Sequence, residues 1–145
     1  MWEHDKVRSE SEPTGLYLRR GHWVVPIGDG IVTQLRVDFA FTLCIGTEIS
    51  IRIESPFTVV RAGVRSAHNG EDVRSLGDLL TLHQQRVQEL LIREDGLLTI
   101  EFADGALLQV PPDAHYEAFN VVGSFPQIEG QFSFYALPGG GLARF

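Results

Sequence analysis

The sequence predicts a single β-rich α+β domain of seven to nine mostly antiparallel strands, curled into a sandwich or a partly open barrel. Short apolar runs alternate with a period of two, Asp-Gly turns separate some of them, and one stretch has helical spacing. The 145 residues are 43% hydrophobic and 21% charged, which is typical of one compact domain rather than a disordered chain.

The first 20 residues differ from the rest of the chain. They are polar and charged without a sustained period, so we expect a loosely held tail over residues 1–20 that joins a single domain over residues 21–145. The first nine residues hold four charges, and no apolar run approaches the roughly 18 residues that a membrane helix needs. We therefore expect a cytoplasmic protein with no membrane partner.

The first half of the domain contains apolar runs that predict strands. The period of two is clearest in residues 49–53, where three isoleucines alternate with polar side chains, and this run forms a predicted hairpin with the run before it. The run after Pro56 extends this hairpin as an edge strand or a bulge. The predicted strands cover residues 22–27, 31–38, 41–45, 49–53 and 57–60.

One stretch of the chain predicts a helix, over residues 72–85. Asp72 or Asn69 is the expected N-terminal cap, and Gly77 weakens the helix by about 1 kcal/mol relative to alanine. The residues that recur here at intervals of three and four are Val73, Leu76, Leu79, Leu80 and His83.

Two Asp-Gly turns organise the second half of the chain. Such a turn between alternating apolar runs is a strong hairpin signal, and the turns at residues 93–96 and 103–105 both have this form. The glycine-rich stretch at 138–141 is a further turn, because no helix or nearby lysine follows it as a phosphate site would need. The predicted strands cover residues 87–92, 98–102, 107–110, 119–123 and 131–137.

The two halves have similar apolar spacing. Val32, Leu35 and Val37 match the spacing of Val87, Leu90 and Ile92, and each set leads into a hairpin, a turn and a proline. We interpret the domain as two similar three-strand units with one intervening helix; the alternative is that any two antiparallel meanders share this pattern. The predicted core residues are Leu43, Ile45, Ile51, Ile53, Leu98, Ile100, Phe102 and Leu108.

The acidic residues are unevenly distributed. The net charge of −7 lies within residues 21–145, and residues 94–143 contain seven acids but no lysine or arginine. This half repels phosphate, so we expect no nucleic-acid partner and consider a basic protein partner instead. The candidate partner-binding residues are Glu94, Asp95, Asp104, Asp113, Glu117 and Glu129.

The sequence carries none of the common catalytic or phosphate-binding motifs. No two of its five histidines are two to four residues apart, and its single cysteine lies in an apolar run, so we expect no metal site and no cofactor. The nearest candidate for acid–base chemistry is Asp113-x-His115-x-Glu117, because a strand would place all three side chains on one face. The alternative is a solvated loop after the double proline.

A resemblance is carried by four segments in the second half: Gly-Leu-Leu-Thr-Ile-Glu-Phe-Ala-Asp-Gly at 96–105, Val-Pro-Pro-Asp at 110–113, Tyr-Glu-Ala-Phe at 116–119 and Pro-Gly-Gly-Gly at 138–141. They resemble an uncharacterised family of small domains from GC-rich Gram-positive bacteria, in which tryptophan is usual where this chain has Phe119. The resemblance covers about residues 21–145 and implies no established activity. It extends to small acidic proteins found beside secreted bacterial toxins.

Three hypotheses for function follow. The first is a non-enzymatic acidic binding module for a basic protein partner, for example an immunity protein that neutralises a toxin. The second is a small-ligand-binding β domain, for which a tightly packed core is the alternative; its apolar pocket would be lined by Phe39, Phe41, Phe102 and Phe119. The third is a hydrolase-like enzyme that uses His115 with Asp113 or Glu117.

Overall fold

Two antiparallel β-sheets form the domain. The structure is a computed structural model that describes residues 7–8, 15–125 and 130–145. Across these residues it contains fourteen strands and one helix, so the β-rich prediction is confirmed, although the strands outnumber the seven to nine expected. Within the same residues no helix is long and apolar enough to span a membrane.

The strands fall into two groups along the chain. The first group comprises β1 (Val7–Arg8), β2 (Tyr17–Arg19), β3 (His22–Val24), β4 (Val32–Val37), β5 (Phe41–Ile45), β6 (Ile49–Ile53), β7 (Phe57–Arg61) and β8 (Val64–His68). After a helix at Val73–Leu82 come β9 (Val87–Arg93), β10 (Leu98–Phe102), β11 (Leu107–Val110), β12 (Phe119–Phe125), β13 (Gly130–Ala136) and β14 (Leu142–Arg144).

Each sheet combines a meander from one half of the chain with a hairpin from the other half. The six-stranded sheet has the order β14-β13-β12-β6-β5-β4, so the hairpin β12–β13 lies beside the meander β4-β5-β6. The eight-stranded sheet has the order β1-β2-β3-β9-β10-β11-β7-β8, so the hairpin β7–β8 lies beside the meander β9-β10-β11. The described strands leave both sheets open, and they do not close into a barrel.

One hydrophobic core joins the two sheets. Alternate residues of the central strands point inward, as in the pattern of β6, where Ile49, Ile51 and Ile53 are buried and the residues between them are half-buried. All eight predicted core residues are buried, which confirms the assignment of the inner faces. Within this core Gly123 leaves room for the ring of Phe132, its partner across the strand pair, which would lie 2.4 Å from a Cβ at residue 123.

The helix is a 3₁₀ helix, shorter than the predicted 72–85. Asp72 caps it as expected, because its side chain accepts a hydrogen bond from the backbone N–H of Arg74. A 3₁₀ helix has three residues per turn, so side chains spaced by three share one face. The buried residues are therefore Leu76, Leu79 and Leu82, whereas the residues predicted beside them, Val73, Leu80 and His83, are exposed.

Two of the hairpins that were not predicted from the sequence have two-residue turns. One lies between β2 and β3 and places residues 17–19, assigned to the tail, within the eight-stranded sheet, while Leu16 is fully buried. The other lies between β7 and β8. Both use two-residue turns with positive φ at Arg20-Gly21 and Ala62-Gly63. Asparagine or aspartate is the usual first residue of such turns, so these two carried no recognisable signal.

The core assignment predicts the effect of shortening Ile100. This side chain is fully buried between Leu90 and Leu108 on the neighbouring strands. Ile100→Ala leaves a cavity and is expected to lower the free energy of unfolding by about 2–5 kcal/mol, measured by urea denaturation. Val122→Ala is the control, because Val122 is 42% exposed, and a change of no more than about 0.5 kcal/mol is expected. Equal effects of the two substitutions would contradict the assignment.

Candidate functional site

An open groove of about 870 Å³ brings together three residues that the sequence analysis assigned to three different hypotheses: Phe39, His115 and Glu117. Its walls come from the turn between β4 and β5, the end of β6, the loop before the 3₁₀ helix and the loop after β11. The lining residues are Phe39, Arg52, Glu54, Glu71, His115, Tyr116, Glu117 and Pro138.

Phe39 stands at one edge of the groove in an unusual conformation. Its side chain is 88% exposed, and its backbone φ is +73°, in the left-handed region that side chains other than glycine rarely adopt. The turn is closed by a hydrogen bond of 3.1 Å from the N–H of Asp38 to the carbonyl of Ala40. A bulky aromatic residue in this conformation costs about 1–3 kcal/mol, and its exposed ring regains little of that by burial.

Two contacts hold this turn in place. Arg52 donates a hydrogen bond of 3.0 Å to the carboxylate of Asp38, and Ala40 is buried against Gly70. A Cβ at residue 70 would lie 2.7 Å from the Cα of Ala40, so the loop before the 3₁₀ helix lies directly against the turn. This close approach also brings Glu71 to the groove.

The opposite wall is a loop stabilised by Asp113. Its carboxylate accepts hydrogen bonds from the backbone N–H groups of His115, at 2.8 Å, and Tyr116, at 3.1 Å. Tyr116 is 72% exposed, and its ring lies edge-on to that of His115. The residues around His115 are therefore in a loop after the double proline, which confirms the second of the two alternatives for Asp113, His115 and Glu117; Asp113 orders the backbone of this loop.

The two walls meet where the chain crosses between the sheets. The N–H of Glu54 donates to the carbonyl of Ala118 at 2.8 Å, and the buried hydroxyl of Ser55 donates to the same oxygen at 3.4 Å. These hydrogen bonds join the segment between β6 and β7 to the segment between β11 and β12, and they place Glu54 beside Glu117 along the groove.

The groove carries excess negative charge. Arg52 donates to Asp38 at 3.0 Å and to Glu54 at 3.3 Å. Partial burial acts to lower the pKa of Arg52, but the hydrogen bonds and charges of Glu54 and Asp38 outweigh it and raise that pKa. Among the described residues, Glu71 and Glu117 have no cationic partner, so the groove lining holds one guanidinium and three carboxylates.

The other predicted acidic residues lie apart from the groove. Asp95 accepts two hydrogen bonds from Arg93, which lower the pKa of its carboxyl group, while Asp104 lies 3.7 Å from the guanidinium of Arg61. Their turns flank the five residues of β10, which span about 16 Å. Glu94 is exposed in the same turn as Asp95, and Glu129 lies outside the described residues. The structure therefore spreads the five described acids over several sites.

The four phenylalanines of the predicted apolar pocket also separate. Phe41, Phe102 and Phe119 are buried in the core, where Phe41 stacks on Phe57 with ring centres 5.7 Å apart, whereas Phe39 is exposed. The three buried rings belong to the common hydrophobic core of both sheets.

Five residues of the groove were not predicted from the sequence: Arg52, Glu54, Glu71, Tyr116 and Pro138. Arg52 carried a signal, because the alternation of β6 places it on the face opposite the buried isoleucines. Tyr116 also carried a signal, because it is an aromatic residue in a polar loop, and exposed loop residues are often binding residues. The groove offers charges and aromatic faces, and among the described residues no three His, Cys, Asp or Glu side chains are close enough to hold a metal ion.

Comparison with known proteins yields one match. A family model described as a family of unknown function (DUF6188) matches residues 23–145. No curated protein and no solved structure matches the chain.

The contact of Gly70 with the turn of Phe39 predicts a specific loss of stability. Gly70→Ala places a methyl group 2.7 Å from the Ala40 backbone, so we expect the free energy of unfolding to fall by about 1–3 kcal/mol in a denaturant titration. Gly77→Ala is the matched control, because nothing lies within 4 Å of a Cβ there. Its expected effect is neutral or a gain of up to about 1 kcal/mol. A neutral Gly70→Ala would show that the two segments are not in close contact.

The strain at Phe39 predicts that this aromatic side chain does not stabilise the fold. Phe39→Gly relieves the left-handed backbone and removes an exposed ring, so we expect an unchanged or higher melting temperature, with a gain of up to about 1 kcal/mol. The melting temperature is followed by circular dichroism. A marked fall in melting temperature would mean that the ring is a structural residue.

Proposed function

Because the chain belongs to DUF6188, a family of unknown function, we propose a function from its own surface: the chain is a binding module whose groove takes a basic segment of a protein partner. The observation that carries the proposal is the exposed ring of Phe39, which stands on a left-handed, strained backbone. A costly backbone conformation that presents an aromatic side chain to solvent is typical of a contact residue.

The charges around Phe39 indicate the chemistry of the partner. Glu71 and Glu117 have no cationic partner among the described residues, while Phe39 and Tyr116 offer ring faces to the same groove. Lysine and arginine side chains are attracted both to carboxylates and to aromatic faces. The negative groove also raises the rate of association with a basic surface, and it repels the phosphates of nucleic acid.

A basic toxin is one partner of this kind. In that case the chain acts in the cytoplasm as an immunity protein, and the groove covers a basic surface that the toxin needs for its activity. This form of the proposal rests on charge complementarity and on the family resemblance of the sequence, and it needs no catalytic residue in the chain.

We further propose that the domain is a sandwich of two similar units with exchanged hairpins. Each unit comprises a three-strand meander followed by a hairpin, β4 to β8 in the first half and β9 to β13 in the second. The support is that each hairpin pairs with the last strand of the other unit's meander: β7 with β11, and β12 with β6.

The groove proposal is tested by crosslinking at Phe39. The photoreactive analogue p-benzoylphenylalanine at residue 39 is irradiated in the cells that make the protein, and crosslinked proteins are identified by mass spectrometry. We expect a basic protein. The rate at which this protein associates with the wild-type chain is expected to fall as the salt concentration rises. At low salt, the double variant Glu71→Lys with Glu117→Lys is expected to associate at least about tenfold more slowly than the wild-type chain.

The control is a second double charge reversal outside the groove, Glu94→Lys with Glu101→Lys, which changes the net charge equally. It is expected to retain most of the association rate. Equal rates for the two double variants, or a crosslinked partner that is not basic, would reject the groove as the binding site. Melting temperatures establish that both variants are folded.

A further inference from the structure

A second pocket, of about 510 Å³, lies between the β7–β8 hairpin and the 3₁₀ helix. Cross-strand pairing places Phe57 opposite His68 and Val59 opposite Ser66, so the four side chains lie on the sheet face that packs against the helix. Ser66 and His68 both line this pocket, and neither lines the groove around Phe39.

Ser66, His68 and the main chain of the helix are joined by a chain of two hydrogen bonds, which we call the relay. The hydroxyl oxygen of Ser66 lies 2.7 Å from Nε2 of His68, and Nδ1 of His68 lies 2.5 Å from the carbonyl oxygen of Ser75. A carbonyl oxygen only accepts, so the hydrogen of a neutral imidazole lies on Nδ1 and the lone pair lies on Nε2. Ser66 then donates its hydroxyl hydrogen to His68.

The surroundings of the relay favour this arrangement. His68 is only 4% exposed, and its ring stacks on Phe57 with centres 5.5 Å apart, so its orientation is fixed from two sides. The other acceptor near the Ser66 hydroxyl, the carbonyl of Val59, lies at 3.3 Å and competes weakly with Nε2. Ser66 itself is only partly buried and reaches the pocket.

We propose that Ser66 and His68 are the nucleophile and general base of a site that hydrolyses esters of short, apolar carboxylic acids. The arrangement contains a nucleophile, a base within hydrogen-bond distance and a group that orients the base. The pocket walls favour an apolar acyl group, because they include Val59, Val64, Leu79 and Leu82. Arg61 lines the same pocket, where its guanidinium donates to the hydroxyl of Thr81 at 2.8 Å and lies 3.7 Å from the carboxylate of Asp104.

The reaction needs only the ester and water. The Ser66 oxygen bonds to the ester carbonyl carbon while its proton passes to Nε2 of His68; the bond to the alkoxy oxygen then breaks, and the proton passes to the departing alcohol. Water attacks the acyl-serine, loses a proton to Nε2, and releases the carboxylic acid as the serine oxygen recovers that proton. The sum is ester plus water giving acid plus alcohol.

The test is covalent labelling of the folded full chain with a fluorophosphonate probe. Trypsin cleaves after Arg65 and Arg74, and the resulting peptide 66–74 contains Ser66 as its only serine. We expect the label on this peptide, together with hydrolysis of p-nitrophenyl acetate that falls at least about 100-fold in Ser66→Ala. Ser50→Ala, on the outer face of β6, is the control and is expected to keep both properties.

Two results would overturn the proposal. One is the absence of label on peptide 66–74 when a known serine esterase is labelled in the same reaction. The other is undiminished hydrolysis of p-nitrophenyl acetate by folded Ser66→Ala. Because the test rests on removing one hydroxyl group from a partly buried side chain, it does not depend on the folding of variants at the buried His68.

Discussion

The exchange of hairpins between the two sheets is the constraint on which the rest of the structure depends. The pairing of β12 with β6 and of β7 with β11 means that each sheet is incomplete without strands from the other half of the chain. Backbone groups in these central strands are buried, and leaving one such group without a partner costs about 1–3 kcal/mol. The shared core reinforces the exchange, because side chains from both sheets pack in one cluster.

The exchange also explains the position of the groove. After a first crossing between β3 and β4, each half of the chain crosses from the sheet of its meander to the other sheet, between β6 and β7 and between β11 and β12. The two crossings are joined by the hydrogen bonds that Glu54 and Ser55 donate to Ala118. Crossing segments run outside the strand ladders, so their side chains are available for binding. Glu54, His115, Tyr116 and Glu117 all come from these segments or their borders.

The sequence predicted what depends on local pattern. Alternation identified the buried faces, and Asp-Gly turns identified two hairpins, because these signals lie within a few residues. The type of helix could not be predicted in this way, since apolar residues recur at intervals of both three and four. Only packing in the folded protein determines that the three leucines spaced by three are the buried ones. The groove could not be predicted from the sequence. Phe39, Glu71 and His115 become neighbours only through the order of the strands in the two sheets, and no local pattern encodes that order.

The exchanged hairpins have a consequence for synthesis of the chain on the ribosome. The meander β4-β5-β6 emerges early, but β12, which covers the open edge of β6, follows more than 60 residues later. During that interval the edge of β6 presents unpaired N–H and carbonyl groups beside three exposed isoleucines, a surface prone to pairing with other nascent chains. The native topology therefore delays completion of the eight-stranded sheet until β11 has been made, and completion of the six-stranded sheet until β14 has been made.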